Sequence, residues 1–246
     1  MLHPGRNRCA ALFLIGGLAV VGGTAACSGS ITPDPLTPTL STVTTLPTLA
    51  EMLSDKTIGN ASAPNQIIEY VSFGQTASAT FHLQTVPQLQ AQFTDTAKAQ
   101  IVFRNLFLST DSVNPALLAR CAGNARFFDA AGTIFRNQAT WANSTNPDAA
   151  VGNLMLGFGM SQAVIDACVG NTALQTGVVK IFSDALNATY LLPDGTQRAP
   201  NGTLGSILTV PAVVVNGVLL DGLNSDGSAN PAFAPTLANI QLFVNK

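Results

Sequence analysis

Apolar residues cluster in this chain with two different periods. Between Gln66 and Phe73, Ile67, Ile68, Tyr70, Val71 and Phe73 leave only Glu69 and Ser72 polar, and Pro64 and Gly74 bound the run. That density predicts a strand buried on both faces. A second strand is expected from Gln100 to Phe107, where Ile101-Val102-Phe103 is too apolar for an exposed edge. A third apolar run, Thr209 to Leu220, is interrupted by Asn216-Gly217, the pair that suits a two-residue type I′ turn, and predicts a β-hairpin. The spacing changes between these runs. After the first strand a helix would turn Phe81, Val86 and Leu89 inward, with Pro87 expected to kink it. From Pro115 to Ala188 apolar residues recur at helical intervals, with Ser161 placed to cap a helix running to Cys168 and a further helix over 173–186. Short helices are expected over 49–56 and at the end of the chain, over 233–244.

Composition narrows the classes. Hydrophobic residues make up 47% and charged residues 10%, enough apolar material for a large core and too little charge for a disordered chain. The net charge of −2, or −4 without Arg6 and Arg8, excludes the clustered cations that nucleic-acid binding needs. The two histidines, His3 and His82, give little to build a metal site from, and no cofactor is expected.

The N-terminus reads as an export leader. Arg6 and Arg8 precede the apolar run from Cys9 to Gly23, which is shorter than the ~20 residues a membrane-spanning helix needs. It ends in Thr24-Ala25-Ala26-Cys27, which resembles the bacterial lipobox and implies lipidation of Cys27. Cleavage after Ala26 by an ordinary signal peptidase is the alternative. Residues 1–26 are therefore expected as a lipoprotein signal peptide. Residues 27–50 are expected as a disordered Ser/Thr/Pro tether, because 28–47 are almost free of charge and bury too little to fold. The folded domain would then span 51–246 and face the periplasm from a lipid anchor in a bacterial cell envelope.

The chemistry centres on the turn after the first strand. Glu69, Tyr70, Ser72, Phe73, Ala79 and Phe81 fall in register with the signature of the DsbA-like disulfide oxidoreductases, E-[FY]-x-S-F-x-C-P-x-C-A-x-F. A Gly59-Asn60…Ala63-Pro64 lead-in, the Leu117-Leu118-Ala119-Arg120-Cys121 segment and Val210-Pro211-Ala212…Val215-Asn216-Gly217 extend the resemblance over most of the chain. It implies an α/β thioredoxin fold with a helical insertion over about 111–190, a cis bond before Pro211, and a peptide groove formed by Gly74, Gln75, Ser78, Thr209, Val210 and Pro211. It also implies that Glu69 is a buried acid beneath the turn, for which a lysine or backbone partner is expected. The four positions of the redox motif are Gln75, Thr76, Ala77 and Ser78, none of which carries a thiol. Ser78 and His82 stand one helical turn apart, but no acid is evident to orient the histidine, which is read as partly exposed.

Cys121 and Cys168 are the only thiols of the expected domain, and in an exported chain such a pair predicts a structural disulfide, with free thiols or a displaced redox centre as alternatives. Gly152, Gly157 and Gly159 lack the Lys-Ser/Thr of a phosphate loop and read as helix and turn glycines. The resemblance and the missing thiols together lead to the expectation of a non-redox envelope protein that binds an extended peptide or an envelope protein client. A disulfide oxidoreductase or isomerase using another thiol pair, and a structural envelope component, are the alternatives.

Overall fold

The structure, a computed structural model, describes residues 42–108, 113–200 and 205–245. The expected leader, Cys27 and most of the tether lie outside the described residues. The first described residues are already part of the fold. Val43 is buried and bridges Met160, donating to the Gly159 carbonyl at 2.9 Å and accepting from Ser161 N–H at 3.0 Å. The stretch from Thr42 to Ala50, expected within the disordered tether, thus includes residues that pack on the domain.

Helix α1 (Leu49–Leu53), capped by the Thr48 hydroxyl, leads into β1 (Lys56–Ile58) and β2 (Asn65–Val71). The helix after β2, α2, covers 76–94. It alternates regular turns, Thr76–Thr80 and Val86–Leu89, with π turns, Phe81–Thr85 and Gln90–Thr94. Pro87 has no N–H to donate to Leu83. The kink expected there is made as the wider turn before it, closed by Val86 N–H on the Phe81 carbonyl. Phe81, Val86 and Leu89 are all buried.

Strand β3 (Ala99–Asn105) follows, and then the helical block: α3 (Val113–Cys121), α4 (Phe127–Arg136), α5 (Gln138–Ala142), α6 (Pro147–Phe158), α7 (Gln162–Val169) and α8 (Thr172–Asn187). Ser161 caps α7 as expected, and Gly159 ends α6 at φ 103°, the left-handed conformation a glycine adopts without penalty. Two-residue strands β4 (Tyr190–Leu191) and β5 (Gln197–Arg198) follow. The hairpin is β6 (Ala212–Val215) and β7 (Val218–Leu220), with Asn216 and Gly217 at φ 50° and 88°, as a type I′ turn requires. Helix α9 (Leu237–Val244) closes the chain.

The seven strands form one sheet in the order β1-β3-β2-β6-β7-β4-β5, with β2 parallel to β3 and antiparallel to β6. Burial on both faces of β2 divides the interior. Ile67 and Val71 face α2 and the helical block, while Ile68 and Tyr70 face Ala185, Tyr190 and Ile207 on the other side. Cys121 and Cys168 join α3 to α7 through a disulfide, both sulfurs fully buried and Met52 Sδ 3.4 Å from Cys121 Sγ.

Two buried cations tie α1 to this framework. Lys56 Nζ donates to the Glu51 carbonyl at 2.7 Å and to Asn124 Oδ1, and Arg120 Nη1 donates to the Met52 carbonyl at 2.8 Å. Positive charge at a helix C-terminus satisfies carbonyls that have no partner within the helix. Burial holds the Lys56 ammonium down at about 8, with Arg120 adding repulsion, and lowers Arg120 to about 10.

Candidate functional site

The turn between β2 and α2 has an ordered backbone and no thiol. Gln75 N–H donates to the Ser72 carbonyl at 3.1 Å, Ala79 N–H to the Gln75 carbonyl at 3.1 Å, and the buried Gln138 of α5 donates to the Phe73 carbonyl. Ser78 is fully buried, and its Oγ accepts from Ser72 N–H at 3.1 Å. The serine at the second redox position is thus a structural brace, not a groove residue. Gly74 and Gln75 are half-buried, while Thr76 and Ala77 are exposed.

The Val210–Pro211 bond is cis. Ala212 pairs with Tyr70, so Pro211 sits level with the end of β2, from which the Gly74–Ser78 turn departs. Thr209 and Pro211 are half-buried, whereas Val210 packs into the second core. Two of the six expected groove residues, Ser78 and Val210, therefore turn their side chains inward. What Val210 offers is its backbone. Among the described residues, the peptide N–H and C=O groups of Thr209 and Val210 make no intramolecular hydrogen bond.

This segment is held from behind by residues that sequence reasoning did not single out. Arg198 is buried and forms an ion pair with the buried Asp221, whose Oδ1 lies 3.2 Å from Nη2. The same guanidinium donates to the carbonyls of Leu223 at 2.7 Å, Asn224 at 3.1 Å and Ser206 at 3.3 Å. It therefore pins both the start of the 206–211 segment and the exit of the hairpin. An arginine and an aspartate in separate polar loops give no sequence signal of this pairing.

Glu69 and His82 meet in the core. Glu69 is 1% and His82 7% exposed, and Nδ1 lies 3.1 and 3.2 Å from the two carboxylate oxygens. The imidazole is boxed by Phe103 and Phe135, at ring-centre distances of 5.5 and 4.9 Å. Three expectations change here. The histidine is buried, the partner of Glu69 is neither a lysine nor a backbone group, and an acid does orient His82. The acid comes from β2, opposite α2, so sequence spacing along the helix could not reveal it. No Ser78–His82 pair forms, because Nδ1 is given to Glu69 and Ser78 Oγ to the backbone.

No helix among the described residues is long and apolar enough to cross a membrane. A family model described as Thioredoxin matches residues 52–192, more than half the chain. A curated protein from Rickettsia prowazekii named "Putative protein-disulfide oxidoreductase RP025" is 29% identical over 92 residues, covering 37% of this chain and 34% of that protein. The match thus spans about a third of the length of that relative. Among solved structures, a protein-disulfide isomerase from Novosphingobium aromaticivorans is similar with a TM-score of 0.59 and 21% identity, covering 78% of this chain and 98% of that one. The alpha-DsbA1 of Wolbachia pipientis gives a TM-score of 0.57 and 19% identity, covering 78% and 89% of the two chains.

Proposed function

We propose, on the premise that this chain belongs to the thioredoxin family and to its DsbA-like branch, that it holds extended polypeptide segments by strand addition and exchanges no disulfides. The observation that carries this reading is the pair of unbonded peptide groups at Thr209 and Val210, beside a turn without thiols. A client strand laid along them would pair groups that make no intramolecular hydrogen bond among the described residues, a mode that needs no cysteine. Each such bond contributes a net ~0.5–1.5 kcal/mol, so a few of them give weak, reversible capture suited to a chaperone-like role. Gly74 and Gln75 would form the opposite wall, and Thr209 and Pro211 would contribute side-chain contacts.

Disulfide exchange requires an accessible thiolate in line with its target. Gln75 and Ser78 supply none, and both sulfurs of the Cys121–Cys168 bond are fully buried. The similar proteins are named as an oxidoreductase and an isomerase, so catalysis through Cys121 and Cys168 is the competing reading. The leader, the lipid on Cys27 and the Ser/Thr/Pro tether form part of the proposal. They would hold the domain on the periplasmic side of a bacterial envelope, where clients are unfolded or partly folded envelope proteins.

Two assays with the purified chain test this. It should not accelerate reduction of insulin or refolding of a reduced disulfide protein, and it should bind cysteine-free extended peptides by fluorescence anisotropy. Turnover that disappears in Cys121→Ala would favour the oxidoreductase. Failure to bind any extended peptide would leave a purely structural envelope component.

A further inference from the structure

The Glu69–His82 contact uses only one end of the imidazole. Both Glu69 oxygens lie against Nδ1, so that nitrogen is engaged by the carboxyl group. Among the described residues Nε2 has no hydrogen-bond partner, and it is not among the enclosed polar atoms that lack one. His82 lines a cavity of about 190 Å³ between α2 and α4. Ile58, Leu83, Val86 and Phe128 supply apolar walls, and Arg136 joins the lining, which among the described residues holds no Asp or Glu.

The guanidinium is placed there by local sequence. Arg136 Nη2 donates to Thr133 Oγ1 at 3.1 Å, and a Cβ at residue 132 would come within 3.1 Å of Nη1. Gly132 lies inside α4, where glycine costs about 1 kcal/mol relative to alanine. Its lack of a side chain is what lets the guanidinium lie along the helix.

We propose that this cavity is a binding site for a small monocarboxylate with an apolar body. The carboxylate would sit between His82 Nε2 and Arg136, and the hydrocarbon would lie against Leu83, Val86 and Phe128. Glu69 holds the ring from its Nδ1 side, so Nε2 is the nitrogen left to face the ligand. The same chemistry is offered by a free aliphatic or aryl carboxylate and by the C-terminus of a peptide ending in an apolar residue.

Calorimetric titration of the full chain tests this, using isovalerate, phenylacetate, isovaleramide, inorganic phosphate and a short peptide ending in leucine. Saturable binding of a free carboxylate, with a shifted His82 ¹⁵Nε2 resonance, supports the site. Binding of the peptide alone supports it with a protein terminus as the ligand. Arg136→Gln, an exposed change that spares the core, should weaken binding at least about tenfold, since a charge-assisted hydrogen bond is lost. Gly132→Ala should weaken it by displacing the guanidinium. The proposal is overturned if no carboxylate binds, if isovaleramide or phosphate binds as tightly as isovalerate, or if Arg136→Gln changes nothing.

Discussion

Replacing His82 by phenylalanine should be among the most destabilising single changes in this domain. The new ring fits the aromatic box of Phe103 and Phe135, so little packing is lost. What changes is Glu69. It is 1% exposed, and among the described residues the histidine provides its only side-chain hydrogen bonds. Stranding a buried carboxylate in this way costs ~3–5 kcal/mol. For a domain of this size each kcal/mol lowers the melting temperature by ~2–4 °C, so a fall of roughly 6–20 °C is expected. The double variant Glu69→Leu, His82→Phe removes both polar groups and should recover most of the loss, because a buried pair replaced by well-packed apolar residues is often neutral. Urea unfolding should be followed by circular dichroism and by Trp141, which is buried with Nε1 donating to the Ile134 carbonyl at 2.9 Å. A coupling energy of at least ~2 kcal/mol is expected between the two substitutions. If His82→Phe costs less than ~1 kcal/mol, or if the double variant is less stable than the single, the pair does not hold the core as described.

Three further outcomes follow from the buried charges and the disulfide. Cys121→Ala with Cys168→Ala should lose ~4 kcal/mol, the chain-entropy value for a loop with a sequence separation of 47, and alkylation before reduction should find neither cysteine reactive in the native chain. Lys56 has a folded pKa of about 8 against an ordinary 10.5, so between those values the unfolded chain binds more protons; stability should therefore rise with pH across that window, and Lys56→Met should abolish the rise. Arg198→Met leaves Asp221 buried without its partner and should cost ~3–5 kcal/mol while speeding amide exchange over residues 206–211, which separates loss of anchoring from global unfolding.

The scaffold was legible because its signals are local. Glu69 to Phe81 carried the strand–turn–helix signature, Asn216-Gly217 carried the two positive φ angles of the hairpin, and the paired cysteines matched the disulfide. What escaped were contacts made across elements. His82 looked like a surface residue because its charge partner comes from a strand, and only the packing of α2 on β2 reveals it. Arg198 and Asp221 were two polar residues in turn-rich segments until the sheet edge brought them together. Ser78 and Val210 were assigned to the groove by position, yet side-chain direction is set by tertiary packing, which turned both inward. The resemblance thus pointed to the turn and the cis-proline segment, and packing sets which of their atoms are accessible.

The central claim is capture by the open backbone at Thr209 and Val210 without thiol chemistry. Hydrogen exchange of the full chain, with and without an unfolded client whose cysteines are all alkylated, tests it most directly. The blocked client should bind and slow exchange at the Thr209 and Val210 amides, with little change in α6 and α7. A client that binds only while its thiols are free, or that leaves those two amides unprotected, would contradict it.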